Sequence, residues 1–194
     1  MSSRLRLLAV YDLEASKTLS RILCVIARTL GVDAVILLGD TVSPVIIDWL
    51  VERCVIPTYG VLGRLDDASV SQSLRRHNGL LEGRLVNLKG YVLTGIGVSP
   101  SPLGESRVDV LATYRPGPGV RCCSVSSDIV GEAVESLKPR LILAGACVEP
   151  CVEGNLISPG SALKNHFMYV AIEGDSYIVK KGVFWEVLRE LGAD

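Results

Sequence analysis

The chain has 194 residues, a mass of 20.8 kDa and a formal net charge of −1, which fits a single domain spanning residues 1–194. Its 48% of hydrophobic residues excludes a disordered chain, and the charges of Arg21, Arg28 and Asp33 in the most apolar stretch exclude a membrane span. The basic residues are scattered, so no nucleic-acid partner is indicated, and no signal-type apolar segment precedes Asp12. We therefore expect a soluble, cytoplasmic protein.

The first half of the chain alternates between predicted strands and helices. Apolar runs and periods predict, in order, a strand at residues 5–11, a helix at 18–30, a strand at 34–38, a helix from 44 to about 53 and a strand at 55–62. Ser43 followed by Pro44 is a typical start for the second helix. This order predicts parallel strands that are joined by right-handed crossovers and buried on both faces.

The second half contains hairpins as well. Lys89-Gly90 predicts a tight turn between two strands, and Gly174-Asp175 predicts another turn near the end of the chain. The predicted elements are strands at residues 85–88, 91–96, 108–113, 141–144, 156–157, 167–172 and 176–179, and helices at 126–137 and 184–191. Hairpins beside parallel strands predict an α/β to α+β fold, in which mixed β-sheets are sandwiched by helices.

The six cysteines form no Cys-x-x-Cys pair, so their spacing does not favour a zinc site. Cys24 and Cys54 lie in apolar stretches, which is typical of small buried residues. The other four could form disulfides in a hyperthermophilic host, and these are Cys122, Cys123, Cys147 and Cys151. The single Gln and four Asn indicate a thermophile, and the pairing stays open.

Carboxylates follow the predicted parallel strands at the points where the strands end. Asp12 and Glu14 follow the first strand, Asp40 follows the second, and Asp66 follows the third. Ligands of open α/β sheets bind at this edge, and carboxylate oxygens suit Mg²⁺, Mn²⁺ or Ca²⁺. The alternative is that Asp12 and Asp40 cap the helices that follow them. The residues alone leave both interpretations open.

Six segments at these strand ends occur in the order and spacing of a known family. They are YDLEA (residues 11–15), LLGDTV (37–42), YGVLGRLDD (59–67), LATYRP (111–116), LAGACVEP (143–150) and LISPGSAL (156–163). Together they resemble the calcineurin-like metallophosphoesterases in their short, single-domain archaeal and bacterial form. The resemblance covers roughly residues 5–180, and it implies a four-layer fold of mixed sheets between helices.

In that family, two metals bridged by the aspartate of the Gly-Asp motif activate a water molecule and hold the phosphoryl oxygens. The resemblance places Asp12, Asp40 and Asp66 at acidic motif positions, and Glu14 stands where a His ligand is expected. The other expected His and Asn ligands and the His that protonates the leaving group are replaced; the residues at these positions are Arg64, Leu65, Tyr114, Ala146 and Val148.

These replacements predict that no two-metal centre forms and that no cofactor is bound. Loss of a residue that only hydrogen-bonds to a metal ligand already lowers metal affinity by about 10- to 100-fold, and here several ligands themselves are replaced. We expect the Arg64 guanidinium to pair with Asp40 and Asp12 in place of the metals. Arg64, Tyr114 and Arg115 are the candidate binding residues at this edge.

The leading hypothesis is a pseudoenzyme, an inactive metallophosphoesterase-fold protein that acts as an interaction or scaffold subunit for an unidentified protein partner. The retromer subunit of this fold is a precedent in the family. Candidate docking residues are Trp49, Tyr59, Phe167 and Trp185, with core packing as the alternative for each. Whether the chain forms a homo-oligomer stays open.

Two alternative functions remain. A weak phosphoesterase would hold a single Mn²⁺ or Mg²⁺ ion with residual carboxylates, namely Asp12, Glu14, Asp40 and Asp66. Retention of a phosphorylated ligand without hydrolysis would instead use the guanidinium groups of Arg64 and Arg115.

Overall fold

The computed structural model of the protein describes residues 4–99 and 107–190, and it contains two mixed β-sheets. The first sheet has the order β11-β10-β1-β2-β3, and its strands are β1 (Leu5–Val10), β2 (Ala34–Leu37), β3 (Thr58–Gly60), β10 (His166–Glu173) and β11 (Ser176–Val183). Strands β1, β2 and β3 are parallel, whereas β10 is antiparallel to both of its neighbours. The predicted early crossovers and late hairpin therefore lie in one sheet.

The second sheet has the order β4-β5-β6-β7-β9-β8. Its strands are β4 (Val86–Leu88), β5 (Tyr91–Ile96), β6 (Val110–Thr113), β7 (Leu141–Ala144), β8 (Cys151–Glu153) and β9 (Leu156–Ser158). The four inner strands β5, β6, β7 and β9 are parallel, and the edge strands β4 and β8 are antiparallel to their neighbours.

Helices cover the outer faces of both sheets. They are α1 (Lys17–Thr29), α2 (Pro44–Asp48), which continues as a π-helical turn (Trp49–Arg53), α3 (Ala68–Arg76), α4 (Asp128–Leu137) and α5 (Phe184–Glu190), with a 3₁₀ turn at Ala162–Lys164. Within the described part of the chain, no helix is both long enough and apolar enough to cross a membrane.

The inner strands β1, β2, β6 and β7 bury both of their faces, as their uninterrupted apolar runs predict. In β1, Leu8 and Val10 pack towards the helices, and Leu5, Leu7 and Ala9 pack towards the second sheet. On the far side, α4 packs on the second sheet through a separate apolar cluster. The result is a helix–sheet–sheet–helix sandwich, which confirms the predicted class of mixed sheets between helices.

Three disulfides cross-link the chain, and they pair Cys24 with Cys54, Cys122 with Cys151, and Cys123 with Cys147. The interpretation of Cys24 and Cys54 as merely small buried residues is therefore wrong. The first disulfide joins α1 to the segment after the π-helical turn, and the other two join the loop before α4 to the region that follows β7.

Two elements of the structure, α3 and β8, are absent from the elements predicted from the sequence. Asp67 is the N-cap of α3, and its carboxylate accepts hydrogen bonds from the Ser69 and Val70 backbone N–H groups at 2.8 and 3.3 Å. It buries the apolar side chains of Val70 and Leu74, which are too few for a clear helical period. Its recognition depends on the Asp67 cap rather than on apolar periodicity.

The four candidate docking aromatics have different surroundings. Phe167 lies in the core, and Trp49 and Tyr59 are partly buried against the apolar clusters. The exposed one is Trp185, on α5. Core packing is therefore the correct interpretation for Phe167, and it accounts for most of the surface of Trp49 and Tyr59.

Candidate functional site

The loops after β1, β2 and β3 meet at one edge of the first sheet, where Asp12 and Asp40 both have left-handed backbone conformations, with φ of 67° and 53°. Neither aspartate caps a helix. Ser16 caps α1, because its Oγ accepts a hydrogen bond from the Leu19 backbone N–H at 3.2 Å, and Ser43 occupies the cap position of α2. The helix-cap alternative is therefore wrong.

Asp40 is the most enclosed of the candidate carboxylates, with 3% of its surface exposed. Its Oδ2 accepts hydrogen bonds from the hydroxyl groups of Tyr11 at 3.0 Å and Tyr114 at 3.1 Å. Its Oδ1 accepts a third hydrogen bond from the Leu65 backbone N–H at 2.9 Å. A buried carboxylate needs such donors because it has lost its hydration, and here the protein supplies three of them.

Glycines make room for this arrangement. A Cβ at Gly63 would collide with the backbone N and Oδ1 of Asp40. Gly39 has a φ of +100°, and a Cβ there would lie 2.6 Å from the Tyr114 ring and 2.8 Å from the Gly63 Cα. The Gly-Asp and Gly-Arg segments of the sequence thus have a local structural reason, namely close approach of two loops around one carboxylate.

The two tyrosines act as neutral donors. Burial, followed by the negative charge and hydrogen bonding of Asp40, raises the pKa of Tyr11 far above its ordinary value of 10.0. Burial and Asp40 also raise the pKa of Tyr114. Their ring centroids are 6.2 Å apart with the ring planes tilted by 56°. Both hydroxyls therefore keep their protons at neutral pH and converge on a single oxygen of Asp40.

Asp12 is satisfied in a similar way. Its Oδ2 accepts a hydrogen bond of 2.5 Å from the hydroxyl of Ser161, which is 5% exposed. The Ala162 backbone N–H donates to the Tyr11 carbonyl at 2.8 Å, which fixes the Ser161 segment beside the end of β1. The LISPGSAL segment thus contributes a hydroxyl donor to this site.

Asp66 joins two loops rather than facing an open site. Its two oxygens accept hydrogen bonds of 2.7 Å from the Val42 and Gly63 backbone N–H groups. Burial raises the pKa of Asp66, although these two hydrogen bonds act in the opposite direction. The carboxylate therefore fixes the loop after β2 against the loop after β3.

Arg64 does not occupy the position predicted for it. The residue is exposed, and the ion pairs of the described residues include none between Arg64 and Asp40 or Asp12. The predicted pairing is wrong because hydroxyl and backbone donors already satisfy Asp40.

The other candidates lie around this cluster. Glu14 is exposed, and its backbone N–H donates to the Asp40 carbonyl at 3.1 Å. Arg115 is partly buried, and its guanidinium lies 5.5 Å from the centre of the Tyr114 ring, a cation–π distance. The structure thus brings Tyr114 to Asp40 as a donor, whereas Glu14 and Arg115 lie at the margin of the cluster.

The residues at this edge do not fit a two-metal centre. The oxygens of Asp40 and Asp66 already accept hydrogen bonds from the protein, as does Oδ2 of Asp12. Two groups of potential metal ligands cluster closely within residues 4–99 and 107–190, and neither includes a carboxylate from this edge of the sheet. One contains the disulfide cysteines Cys122 and Cys151. The other combines Asp48, Glu52 and His77 on the helical layer, where the Arg76 guanidinium lies 2.6 Å from Asp48.

Two residues of this cluster, Tyr11 and Ser161, are not among the site residues predicted from the sequence. Tyr11 immediately precedes Asp12 at the end of β1, and a buried tyrosine usually requires a hydrogen-bond partner. That rule could have drawn attention to Tyr11. Ser161 is 149 residues from Asp12 along the chain, so nothing local in the sequence indicates the contact.

Comparisons with known proteins establish the fold. No family model matches the chain, and no curated protein matches it. Among solved structures, TT1561 of Thermus thermophilus is 14% identical, with a TM-score of 0.69 over 94% of this chain and 100% of that one. A novel archaeal phosphodiesterase is 14% identical, with a TM-score of 0.61 over 92% of this chain and 99% of that one.

A third similar structure is GAP50 of Plasmodium, described as the anchor in the inner membrane complex. It is 10% identical, with a TM-score of 0.60 over 93% of this chain and 85% of that one. The layer order, the mixed sheets and these similarities agree. The chain has the calcineurin-like metallophosphoesterase fold, which confirms the resemblance at the level of the fold.

Proposed function

We propose that this protein is a metallophosphoesterase-fold protein that does not hydrolyse phosphoesters and instead acts as an interaction or scaffold subunit. The observation that carries the proposal is the enclosure of Asp40 by the Tyr11 and Tyr114 hydroxyls and the Leu65 backbone N–H. The carboxylate that would bridge two metals in an enzyme of this fold is the acceptor of a buried hydrogen-bond cluster here.

Free energies support this interpretation. A metal ion that binds Oδ2 of Asp40 would take the acceptor of both the Tyr11 and the Tyr114 hydroxyl. Each buried polar group left without a partner costs about 1–3 kcal/mol, so the cost is about 2–6 kcal/mol before any ligand is bound. Tyr114, Ala146 and Val148 supply no imidazole to offset it, and Leu65 offers no proton to a leaving group.

The same edge presents apolar side chains where the family carries histidines. Leu65 is 45% exposed and Val148 is 49% exposed. Exposed apolar side chains beside a closed polar cluster suit contact with a protein better than contact with a phosphate. The Plasmodium neighbour, described as an anchor, supports a scaffold role for this fold. We propose a protein partner, a cytoplasmic location and no resident metal.

A single-metal phosphoesterase is the second candidate, and Glu14 is the observation that favours it. Its carboxylate is exposed at the same edge and takes no part in an ion pair within the described residues, so it is free to face a cation. The archaeal neighbour is described as a phosphodiesterase. Asp12 and Glu14 would then hold one Mn²⁺ or Mg²⁺ ion, which would supply a Lewis acid for a phosphoryl oxygen.

The test combines metal analysis with an activity assay. The protein is purified, incubated with Mn²⁺, freed of unbound ions and analysed for metal by mass spectrometry, and hydrolysis of bis-p-nitrophenyl phosphate is then measured. We expect no stoichiometric metal and no turnover above that of buffer with Mn²⁺. Stoichiometric metal together with turnover that Asp40→Asn abolishes would overturn the proposal.

A further inference from the structure

Strand β11 forms one edge of the first sheet, and within the described residues no strand pairs with its outer side. It is eight residues long, and five of its side chains are exposed, including those of Ile178, Lys180 and Lys181. A long exposed edge strand presents a row of backbone N–H and C=O groups to which an extended peptide can add as a further strand.

An apolar groove of about 300 Å³ lies beside this strand, on the side of the first sheet that faces the helices. Its walls are formed by Leu30 after α1, Val187 on α5, and Tyr169 and Ile178 on the two late strands. At Gly182 a Cβ would collide with the ring of Phe167, so glycine lets this buried ring pack directly against the backbone of β11. The groove is large enough to enclose a large apolar side chain.

The charges around the groove are all positive. The charged residues along it are Arg4, Lys180 and Lys181, no carboxylate from residues 4–99 or 107–190 lines it, and none of the three cations forms an ion pair there. Lys180 shares the groove face of β11 with Ile178, whereas Lys181 lies on the opposite face of the strand, where an added strand also presents side chains. A second copy of β11 paired antiparallel to the first would bring the lysines of both copies close together, which is unfavourable. An acidic partner would be attracted instead.

We propose that β11 and its groove bind an extended, acidic segment of a protein partner. The segment adds to β11 by backbone hydrogen bonds, places a large apolar side chain between Tyr169 and Ile178, and pairs its carboxylates with Lys180 and Lys181. The inference rests on the proposed function as an interaction subunit, and it names the surface and the chemistry of the partner.

The test begins with selection from a random peptide library displayed on phage, with the whole protein as the target. We expect the selected peptides to combine an excess of Asp and Glu with large apolar residues. Hydrogen exchange with a selected synthetic peptide should then show added protection in residues 176–183. Failure to select binding peptides, peptides without an acidic excess, or protection elsewhere would each overturn the proposal.

Two variants with matched controls test the contacts. Lys180→Glu/Lys181→Glu should weaken binding of a selected peptide by at least about tenfold, because the reversed charges repel its carboxylates, whereas Lys17→Glu, at an exposed lysine on α1, should not. Ile178→Asp should weaken binding similarly, whereas Ile129→Asp, at an isoleucine of comparable exposure on α4, should leave it unchanged. Equal effects of variant and control would contradict the assignment.

Further measurements exclude the other occupants. Sedimentation that shows a dimer with protected β11 amides would assign the strand to a second copy and overturn the proposal. Binding of dodecyl sulfate in preference to every peptide would assign the groove to an amphiphile and would also overturn it. If no peptide binds and the protein is metal-free and inactive, the peptide site at β11 is refuted and the proposed function is not. Bound metal with turnover would instead contradict the proposed function, and peptide binding at β11 is measured separately from it.

Discussion

The sheet edge beside Asp40 and the groove beside β11 differ in how far their polar groups are satisfied. At the sheet edge, the carboxylates of Asp40 and Asp12 accept hydrogen bonds from Tyr11, Tyr114 and Ser161. Beside β11, cationic side chains surround an apolar groove that contains no carboxylate within the described ranges. Asp40 and Asp12 at the sheet edge are hydrogen-bonded within the protein, whereas the cations beside β11 form no ion pair within the described residues.

This difference indicates which of the two regions has groups available for binding another molecule. A catalytic site keeps polar groups available for a substrate, as does an open metal site. The edge beside Asp40 keeps few, because two tyrosine hydroxyls and a backbone N–H already donate to this carboxylate. The groove beside β11 has backbone donors, apolar surface and positive charge at once.

The largest effect is expected from Asp40→Ala, which leaves the hydroxyls of Tyr11 and Tyr114 and the Leu65 N–H without their acceptor. We expect the free energy of unfolding to fall by about 3–5 kcal/mol, measured by urea denaturation. Glu14→Ala removes an exposed carboxylate from the same edge and should change it by less than about 0.5 kcal/mol. Equal effects of the two variants would show that Asp40 is not enclosed.

Removal of a disulfide should have the next largest effect. Cys122→Ser/Cys151→Ser opens a loop with a sequence separation of 29 residues, and a loop of this size predicts a loss of about 3–4 kcal/mol. Urea denaturation of the oxidised wild type and of the variant measures it. The Asp40 cluster does not include these cysteines, so tyrosine titration should be the same in both proteins. An unchanged midpoint of unfolding would indicate that this disulfide does not form.

Single tyrosine variants should have smaller effects. Tyr114→Phe removes one of three donors to Asp40 and should lower the free energy of unfolding by about 1–2 kcal/mol. Tyr177→Phe is the matched control, since the Tyr177 hydroxyl donates to the Gly154 carbonyl at an exposed position. In the same urea titration, Tyr177→Phe should lower the free energy of unfolding clearly less than Tyr114→Phe does. A Tyr114→Phe variant as stable as the wild type would mean that this hydroxyl bond contributes nothing.

The pH dependence of stability gives a further test of the tyrosines. In the unfolded chain the tyrosines have their ordinary pKa of 10.0. In the folded state, burial and Asp40 raise the pKa values of Tyr11 and Tyr114 above it. Their contribution is therefore fully present below about pH 10 and is lost as the pH rises further. Stability of the wild type should fall above this pH more steeply than that of Tyr11→Phe/Tyr114→Phe. Parallel curves from thermal unfolding would contradict the raised pKa values.

The smallest effect is expected from Arg64→Ala. Because the Arg64 side chain is exposed and forms no ion pair with Asp40 or Asp12, its removal should change the free energy of unfolding by less than about 0.5 kcal/mol. Chemical denaturation decides this. A loss of several kcal/mol would restore the pairing predicted from the sequence, and would place the guanidinium among the carboxylates after all.

Much of the fold could be predicted because its inner strands are buried on both faces. The apolar runs in β1, β2 and β7 have no other plausible location in a chain of this size. In contrast, α3 has few apolar residues, and β8 is a three-residue edge strand with one buried residue. Such elements are fixed by caps and neighbouring strands, which a hydropathy pattern does not record.

The candidate site could be predicted in part of its membership and in fewer of its contacts. Asp12, Asp40 and Tyr114 follow strand ends, and strand topology brings these ends together. Which donor reaches Asp40 depends on side-chain directions and on chain segments that are distant in sequence, such as those of Tyr11 and Ser161. The sequence suggested a charge partner for a buried carboxylate, and the structure supplies neutral hydroxyls instead.

A crystal structure of the protein grown in Mn²⁺ shows whether a metal ion can displace the tyrosine hydroxyls from Asp40. We expect no anomalous density for manganese between Asp12 and Asp40, with the Tyr11 and Tyr114 hydroxyls still within hydrogen-bonding distance of the Asp40 carboxylate. Manganese bound between the two aspartates, with both tyrosine rings turned away, would contradict the account.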